Sequence, residues 1–91
     1  MTIRIGDWEF DNTSYDREAD VLYLSVGVPQ DGVGEETPEG HVLRRDGGGR
    51  VIGLTLIGPR HLLDAGGQIE VTMPHRERVR SEDLGLAPAG S

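Results

Sequence analysis

The chain has 91 residues, a length that provides one small domain with one core. Its formal net charge of −7 argues against a stand-alone nucleic-acid-binding protein, because that function needs a basic face. The absence of cysteine excludes disulfides and thiolate metal sites. No apolar run reaches the ~20 residues of a membrane helix. The amino-terminal residues do not resemble an export signal, so a cytoplasmic protein is expected.

The charge is unevenly distributed along the chain. Residues 1–41 carry two arginines against ten acids, a net of −8, whereas residues 42–80 carry seven arginines against four acids, a net of +3. Such an asymmetry gives an electrostatic dipole able to orient a contact with a partner or with a second copy of the chain. A solvated surface of mixed charge is the interpretation that we favour at this point.

The amino-terminal residues predict a hairpin followed by a strand. Residues 3–5 and 8–10 alternate apolar and polar side chains, and the Gly6-Asp7 pair between them is typical of a two-residue turn that begins with glycine. A further strand over residues 13–16 then runs into a tight reversal.

This reversal carries an acid at every second position. Asp16 is placed to accept backbone N–H groups, and Asp20 tolerates the left-handed conformation that ends such a turn. Together with Glu18 they could also ligate a hard cation such as calcium. A calcium loop would need a glycine after the third acid, whereas an apolar strand follows. We therefore favour turn chemistry and predict no metal site.

Residues 21–28 are the most apolar segment. Alternation divides its side chains into two sets, with Leu22, Leu24, Val26 and Val28 on one face and Val21, Tyr23 and Ser25 on the other. A strand that is apolar on both faces is usually central or covered by another element. The next residues, 29–40, consist largely of glycine, proline and acids, and predict a mobile loop that is least ordered over residues 30–39.

The second half predicts two paired strands, a short helix and a last strand. Residues 41–46 and 50–57 flank the Gly47–Gly49 turn. Alternation in the second of these strands gives two further sets, Ile52, Leu54 and Leu56 on one face and Val51, Gly53, Thr55 and Ile57 on the other. Gly53 indicates a bulge or a close approach, because it has no side chain to continue the alternation. Pro59 opens the helix, two glycines end it, and residues 68–73 form the last strand.

These elements predict a mainly β protein, α+β at most. We expect a single antiparallel meander sheet of about five to six short strands with one short helix near residues 59–65, since no connection is long enough for repeated parallel crossovers. One domain covers residues 1–80, and residues 81–91 form a tail that contains at most a single helical turn. The residues expected to be among the most buried are Leu24, Val26, Leu54 and Leu56.

No arrangement of residues predicts an enzyme or a cofactor. The serines lack a nucleophile motif, and the Gly47–Gly49 turn lacks the Lys-Ser/Thr ending of a phosphate loop. His41 and His75 are isolated in sequence, as is His61. The best candidates for a ligand-binding site are Arg60 and His61, because backbone N–H groups at the start of a helix bind anions.

Several segments resemble a known family. Residues 14–24, Ser-Tyr-Asp-Arg-Glu-Ala-Asp-Val-Leu-Tyr-Leu, and the later segments 36–42 and 46–56 resemble, in order and spacing, the small bacterial proteins classed as domain of unknown function 2283. The resemblance covers residues 13–73. It implies a small β-rich module without assigned activity, and some family members are encoded beside toxin-like proteins. This chain departs from the shorter family form by its Trp8-Glu9-Phe10 leader and by its strand at 68–73.

We therefore expect a non-enzymatic protein-interaction module that forms a homodimer and that binds no nucleic acid and no membrane. Antitoxin-like binding of a small protein partner is part of this hypothesis. The predicted interface is the second apolar face, represented by Val21, Tyr23, Val51 and Ile57. The alternative is a small-molecule or anion-binding protein that uses Arg60 and His61.

Overall fold

The computed structural model describes residues 2–28, 31–73 and 75–84, and it confirms a mainly β, antiparallel protein. The described residues form nine strands and two short helices. In chain order these are β1 (Ile3–Ile5), β2 (Trp8–Phe10), β3 (Asn12–Asp16), β4 (Val21–Ser25), β5 (Val33–Glu36), β6 (Val42–Arg45), β7 (Val51–Ile57), α1 (Pro59–Gly66), β8 (Ile69–Thr72), β9 (Arg76–Val79) and α2 (Ser81–Leu84).

The strands are divided among three antiparallel units. Five of them form a central sheet in the order β3-β4-β7-β6-β5, while β1–β2 and β8–β9 form separate hairpins. The expected single meander is therefore wrong in its topology. After β4 the chain crosses to the far edge of the sheet, and β5, β6 and β7 then lead back until β7 pairs with β4.

The edge strand β5 (Val33–Glu36) lies within the segment 29–40 that was predicted as a loop. It pairs with β6 from Val33 opposite Arg45 to Glu36 opposite Val42. A strand forms here although its single apolar side chain, Val33, is exposed, because backbone hydrogen bonds to β6 hold it. Acids on an edge strand discourage pairing with other chains. Within that predicted loop, residues 29 and 30 lie outside the described residues.

The turns agree with the sequence predictions. Gly6 has φ 59° between β1 and β2, and Asp20 has φ 53° at the end of the β3–β4 turn. The Asp16 carboxylate accepts the backbone N–H groups of Glu18 and Ala19, each at 3.1 Å. These features depend on residues that are close in sequence, which is why the sequence reveals them.

The core lies on one side of the central sheet, which we call the inner face. Its side chains from β4, β6 and β7 are almost completely buried: Leu22, Leu24, Leu43, Leu54 and Leu56. The two hairpins and α2 cover this face with their own buried side chains, Ile3, Ile5, Phe10, Ile69, Val71, Met73, Val79 and Leu84. All of these residues belong to one apolar cluster, so a single core connects the elements from β1 to α2.

The alternation predicted for residues 21–28 fails beyond the end of β4. Val26 is 36% exposed, so the expectation that it is among the most buried residues is wrong. The chain turns out of the sheet at Gly27, which has φ 65°. Its N–H donates to the Asp11 carboxylate at 2.8 Å, and the Asn12 side-chain amide donates to its carbonyl at 2.6 Å. These contacts with the start of β3 fix the segment away from the core.

A bulge in β7 changes which side chains face the core. Arg44 pairs with Gly53 and Arg45 pairs with Val51, so Ile52 has no directly opposed partner. Val51 packs against the core cluster, whereas Ile52 is buried outside it. The predicted faces are therefore wrong at these two positions. The bulge that Gly53 indicated is present.

The helices lie after the central sheet in sequence and add to the cover of the core. α1 begins at Pro59 and ends before Gly67, whose φ is 76°, as the sequence predicts. α2 brings Leu84 into the core cluster, so the packed part of the chain extends beyond residue 80. Residues 85–91 of the predicted tail lie outside the described residues.

We predict that Leu54→Ala lowers the free energy of unfolding by about 2–5 kcal/mol, because Leu54 is 1% exposed and its truncation leaves a cavity in the core. The matched control is Ile57→Ala in the same strand. Ile57 is 45% exposed, so its truncation should cost less than about 1 kcal/mol. Urea unfolding of both variants compares the two costs. Equal losses would contradict the position of the core.

Candidate interaction surface on the outer face of the sheet

The outer face is the side of the central sheet opposite the core. The register between β4 and β7 places Val21 opposite Ile57 and Tyr23 opposite Thr55 on this face. Tyr23 is 49% exposed and Ile57 is 45% exposed, while Val21 is half-buried. Three of the four residues predicted for an interface therefore share one surface. The fourth, Val51, does not belong to it, because the bulge turns Val51 toward the core.

A groove of about 240 Å³ lies on the outer face beside the bulge. Within its lining, Gly53 pairs with Ser25 of β4 and with Arg44 of β6 and places no side chain between them. The side chains of Ile52 and Val26 add apolar surface to its lining. A Cβ atom at position 53 would lie 3.2 Å from the Leu24 carbonyl oxygen, so the strand itself leaves little room for a larger residue.

Charged groups stand at opposite corners of the outer face. Arg44 lies in β6 beside the groove, and among the described residues no hydrogen bond or ion pair engages its guanidinium. Its neighbour Arg45 is paired, because its Nε donates to the Glu35 carboxylate at 3.2 Å. Asp16 ends β3 in the row of Val21, at the corner diagonal to Arg44. The surface thus combines an apolar centre with one positive and one negative corner.

The start of α1 is already occupied by a carboxylate of the chain. Asp20 accepts the backbone N–H of Arg60 at 3.2 Å, the backbone N–H of His61 at 3.1 Å and the Tyr15 hydroxyl at 2.7 Å. The helix needs this contact because its own N-cap residue, Gly58, has no side chain. The N–H groups that sequence reasoning offered to an external anion therefore bind Asp20.

These hydrogen bonds keep the Asp20 carboxyl ionised. Burial would by itself raise its pKa, but the hydrogen bonds from Tyr15, His61 and Arg60, together with the Arg60 charge, outweigh burial and lower the pKa. The hydrogen bond to Asp20 raises the pKa of Tyr15, and burial raises it further. Both shifts move the groups away from neutral pH. Asp20 and Tyr15 therefore serve to connect the β3–β4 turn to α1, since acid–base catalysis favours a pKa near the working pH.

Two of the three acids of the β3–β4 turn have separate tasks. Asp16 accepts N–H groups of the turn, and Asp20 binds the start of α1. Within the described residues, no group of three His, Cys, Asp or Glu side chains is arranged to hold a metal ion. Over the same part of the chain, no helix is both long and apolar enough to cross a bilayer.

Comparison with protein-family models, with curated proteins and with solved structures finds no match to this chain. Membership of domain of unknown function 2283 stays a prediction based on the residues quoted for it. The candidate interaction surface is therefore defined by its geometry in this structure. Sequence reasoning did not include Arg44, Val26 or Ile52 in it, and the one available signal was Gly53, because a glycine inside a strand often marks a bulge.

We predict that Asp20→Asn lowers the free energy of unfolding by about 1–2 kcal/mol at pH 7, because asparagine keeps the left-handed turn but loses the charge that caps α1. Asp64→Asn, an exposed substitution within α1, serves as the control and should change little. Urea unfolding, followed by the circular dichroism signal of the helices, measures the free energy of unfolding of both variants.

The same comparison has a defined pH dependence. A carboxyl group with a lowered pKa stabilises the folded state above its unfolded-state pKa, about 4, and this contribution disappears as the pH falls through the lower folded-state value. The difference between wild type and Asp20→Asn should be constant from pH 5 to 8 and vanish in stronger acid. A difference that persists in strong acid would contradict a role of the charge.

Proposed function

We propose that this protein is a non-enzymatic interaction module that self-associates through the outer face of its central sheet. The observation that carries the proposal is the exposure of Tyr23 and Ile57 on that face, next to an open groove. The chain covers the inner face with its own hairpins and helices. Exposed apolar patches of this kind are typical of binding sites.

A second copy of the same chain is the occupant that we favour. In a two-fold dimer each copy contributes the same patch, so one apolar surface covers another. The two-fold axis of such a dimer lies between the two stacked sheets and runs perpendicular to the line that joins Asp16 and Arg44. Rotation about this axis places Asp16 of one copy over Arg44 of the other. The two corners are complementary in charge, and the pairing occurs twice. This supplies the orientation that the uneven charge of the sequence led us to expect.

The polar groups with shifted pKa values support interaction over catalysis. Asp20 and Tyr15 bind each other and the start of α1. Glu39 accepts the backbone N–H of Thr72 at 2.9 Å and its hydroxyl at 2.7 Å. Burial would raise the pKa of Glu39, but these hydrogen bonds lower it. All three side chains join elements of the fold, which accounts for their shifts without a reaction.

Sedimentation equilibrium at micromolar concentration tests the proposal. The wild-type chain of 9.9 kDa should sediment with twice that mass. Tyr23→Arg should shift it to the monomer, because a charge at the centre of the face would be buried in the dimer. The control is Val33→Arg, which adds the same charge at a position in β5 that is 75% exposed and does not line the groove. It should remain a dimer, and circular dichroism verifies that both variants fold.

A wild-type monomer throughout the micromolar range would overturn self-association. The face would then be open to a small protein partner of the antitoxin–toxin type. Dissociation by both variants alike would contradict the outer face as the interface, because the control charge lies elsewhere.

A further inference from the structure

The turn between β5 and β6 contains a histidine that is sealed inside the protein. His41 is 1% exposed, and its Nδ1 accepts the backbone N–H of Ile57 at 3.1 Å. Its Nε2 is buried and has no hydrogen-bond partner among the described residues. A buried polar atom without a hydrogen-bond partner is costly, so the unpartnered Nε2 atom lowers the free energy of unfolding.

The hydrogen bond to Ile57 determines where the ring carries its proton. Because Nδ1 accepts an N–H, it has no hydrogen of its own, and the neutral ring carries its hydrogen on Nε2. A second proton would have to attach to Nδ1. There it would face the N–H of Ile57, and two donors cannot bond to each other. Proton uptake by His41 and the bond to β7 therefore exclude each other.

The surroundings of the ring do not compensate a positive charge. Within its own turn, the Thr37 N–H donates to the His41 carbonyl at 2.7 Å and the His41 N–H donates to the Thr37 hydroxyl at 3.1 Å. The Glu39 carboxylate is held by Thr72 of β8. Strand β7 donates the backbone N–H of Ile57 to the ring. Burial lowers the pKa of His41, and the Glu39 charge opposes this only in part. The Glu39 carboxylate is the one negative charge that acts appreciably on the ring among the described residues.

We propose that His41 is an acid-sensitive lock on the end of β7: the neutral ring holds Ile57, and proton uptake releases it and opens the junction between β7 and the β5–β6 turn. The released residue is adjacent to Gly58, whose N–H donates to the Asp20 carbonyl at 2.7 Å just before α1. Opening therefore acts on the connection between the sheet and the helix. This lock belongs to the single chain and does not depend on self-association.

The direction of the effect follows from linkage. In the open form the ring takes up a proton with the ordinary histidine pKa of about 6.5, whereas in the closed form the pKa is lower. Acid therefore favours the open form, by up to about tenfold in the equilibrium constant per pH unit below 6.5. The lowered pKa values of Asp20 and Glu39 act in more acidic solution, so the two effects occupy separate pH ranges.

The experiment compares wild type, His41→Gln and the control His61→Gln, whose side chain is exposed in α1. Urea unfolding at pH 7.5 and at pH 5.5 gives the ratio of folded to unfolded protein. For wild type and His61→Gln this ratio should fall about tenfold more across the interval than for His41→Gln. Equal pH dependence of all three proteins would overturn the lock.

A second measurement on the wild-type protein covers the case in which His41→Gln does not fold. Amide hydrogen exchange, corrected for its intrinsic pH dependence, reports the protection of the Ile57 N–H, and nuclear magnetic resonance reports the state of the His41 ring. We expect the ring to remain neutral in the folded protein at pH 5.5 while the protection of Ile57 decreases. A ring that titrates within the folded protein while the Ile57 amide stays protected would overturn the proposal.

Discussion

The carboxylate of Asp20 joins parts of the structure that are far apart in sequence. It ends the β3–β4 turn in the left-handed conformation, binds Tyr15 of β3 and caps α1 through the N–H groups of Arg60 and His61. Its backbone carbonyl also accepts the N–H of Gly58. Because α1 has no capping side chain at its own start, Asp20 supplies the cap from the β3–β4 turn.

The position of α1 matters because the sheet is covered on one side only. Leu62 and Leu63 of the helix pack against the core that fills the inner face. A chain of 91 residues with 35% apolar content has enough side chains for one core, so the outer face keeps Tyr23 and Ile57 in solvent. Because apolar side chains are too few to cover the outer face as well, we propose that a second copy of the chain covers it. Folding and association then depend on opposite sides of the same strands.

The features that depend on neighbouring residues could be predicted from the amino-acid sequence. The hairpin at Gly6, the turn at Asp16, the left-handed Asp20 and the helix that begins at Pro59 all follow from the backbone preferences of single residues or from contacts two to four positions apart. The inner positions of Leu24, Leu54 and Leu56 were also predicted, because a long apolar alternation has one favourable orientation. The mainly β class followed from the same patterns.

The features whose partners are distant in sequence could not be predicted and follow from the three-dimensional packing. Strand β5 has no apolar pattern and exists because β6 pairs with it. Val26 leaves the core because contacts from the start of β3 turn the chain at Gly27, and the bulge exchanges the faces of Val51 and Ile52. The burial of His41 likewise requires β7 to lie beside its turn. These outcomes depend on the energies of non-local contacts, and the local sequence does not indicate which distant segments will pack together.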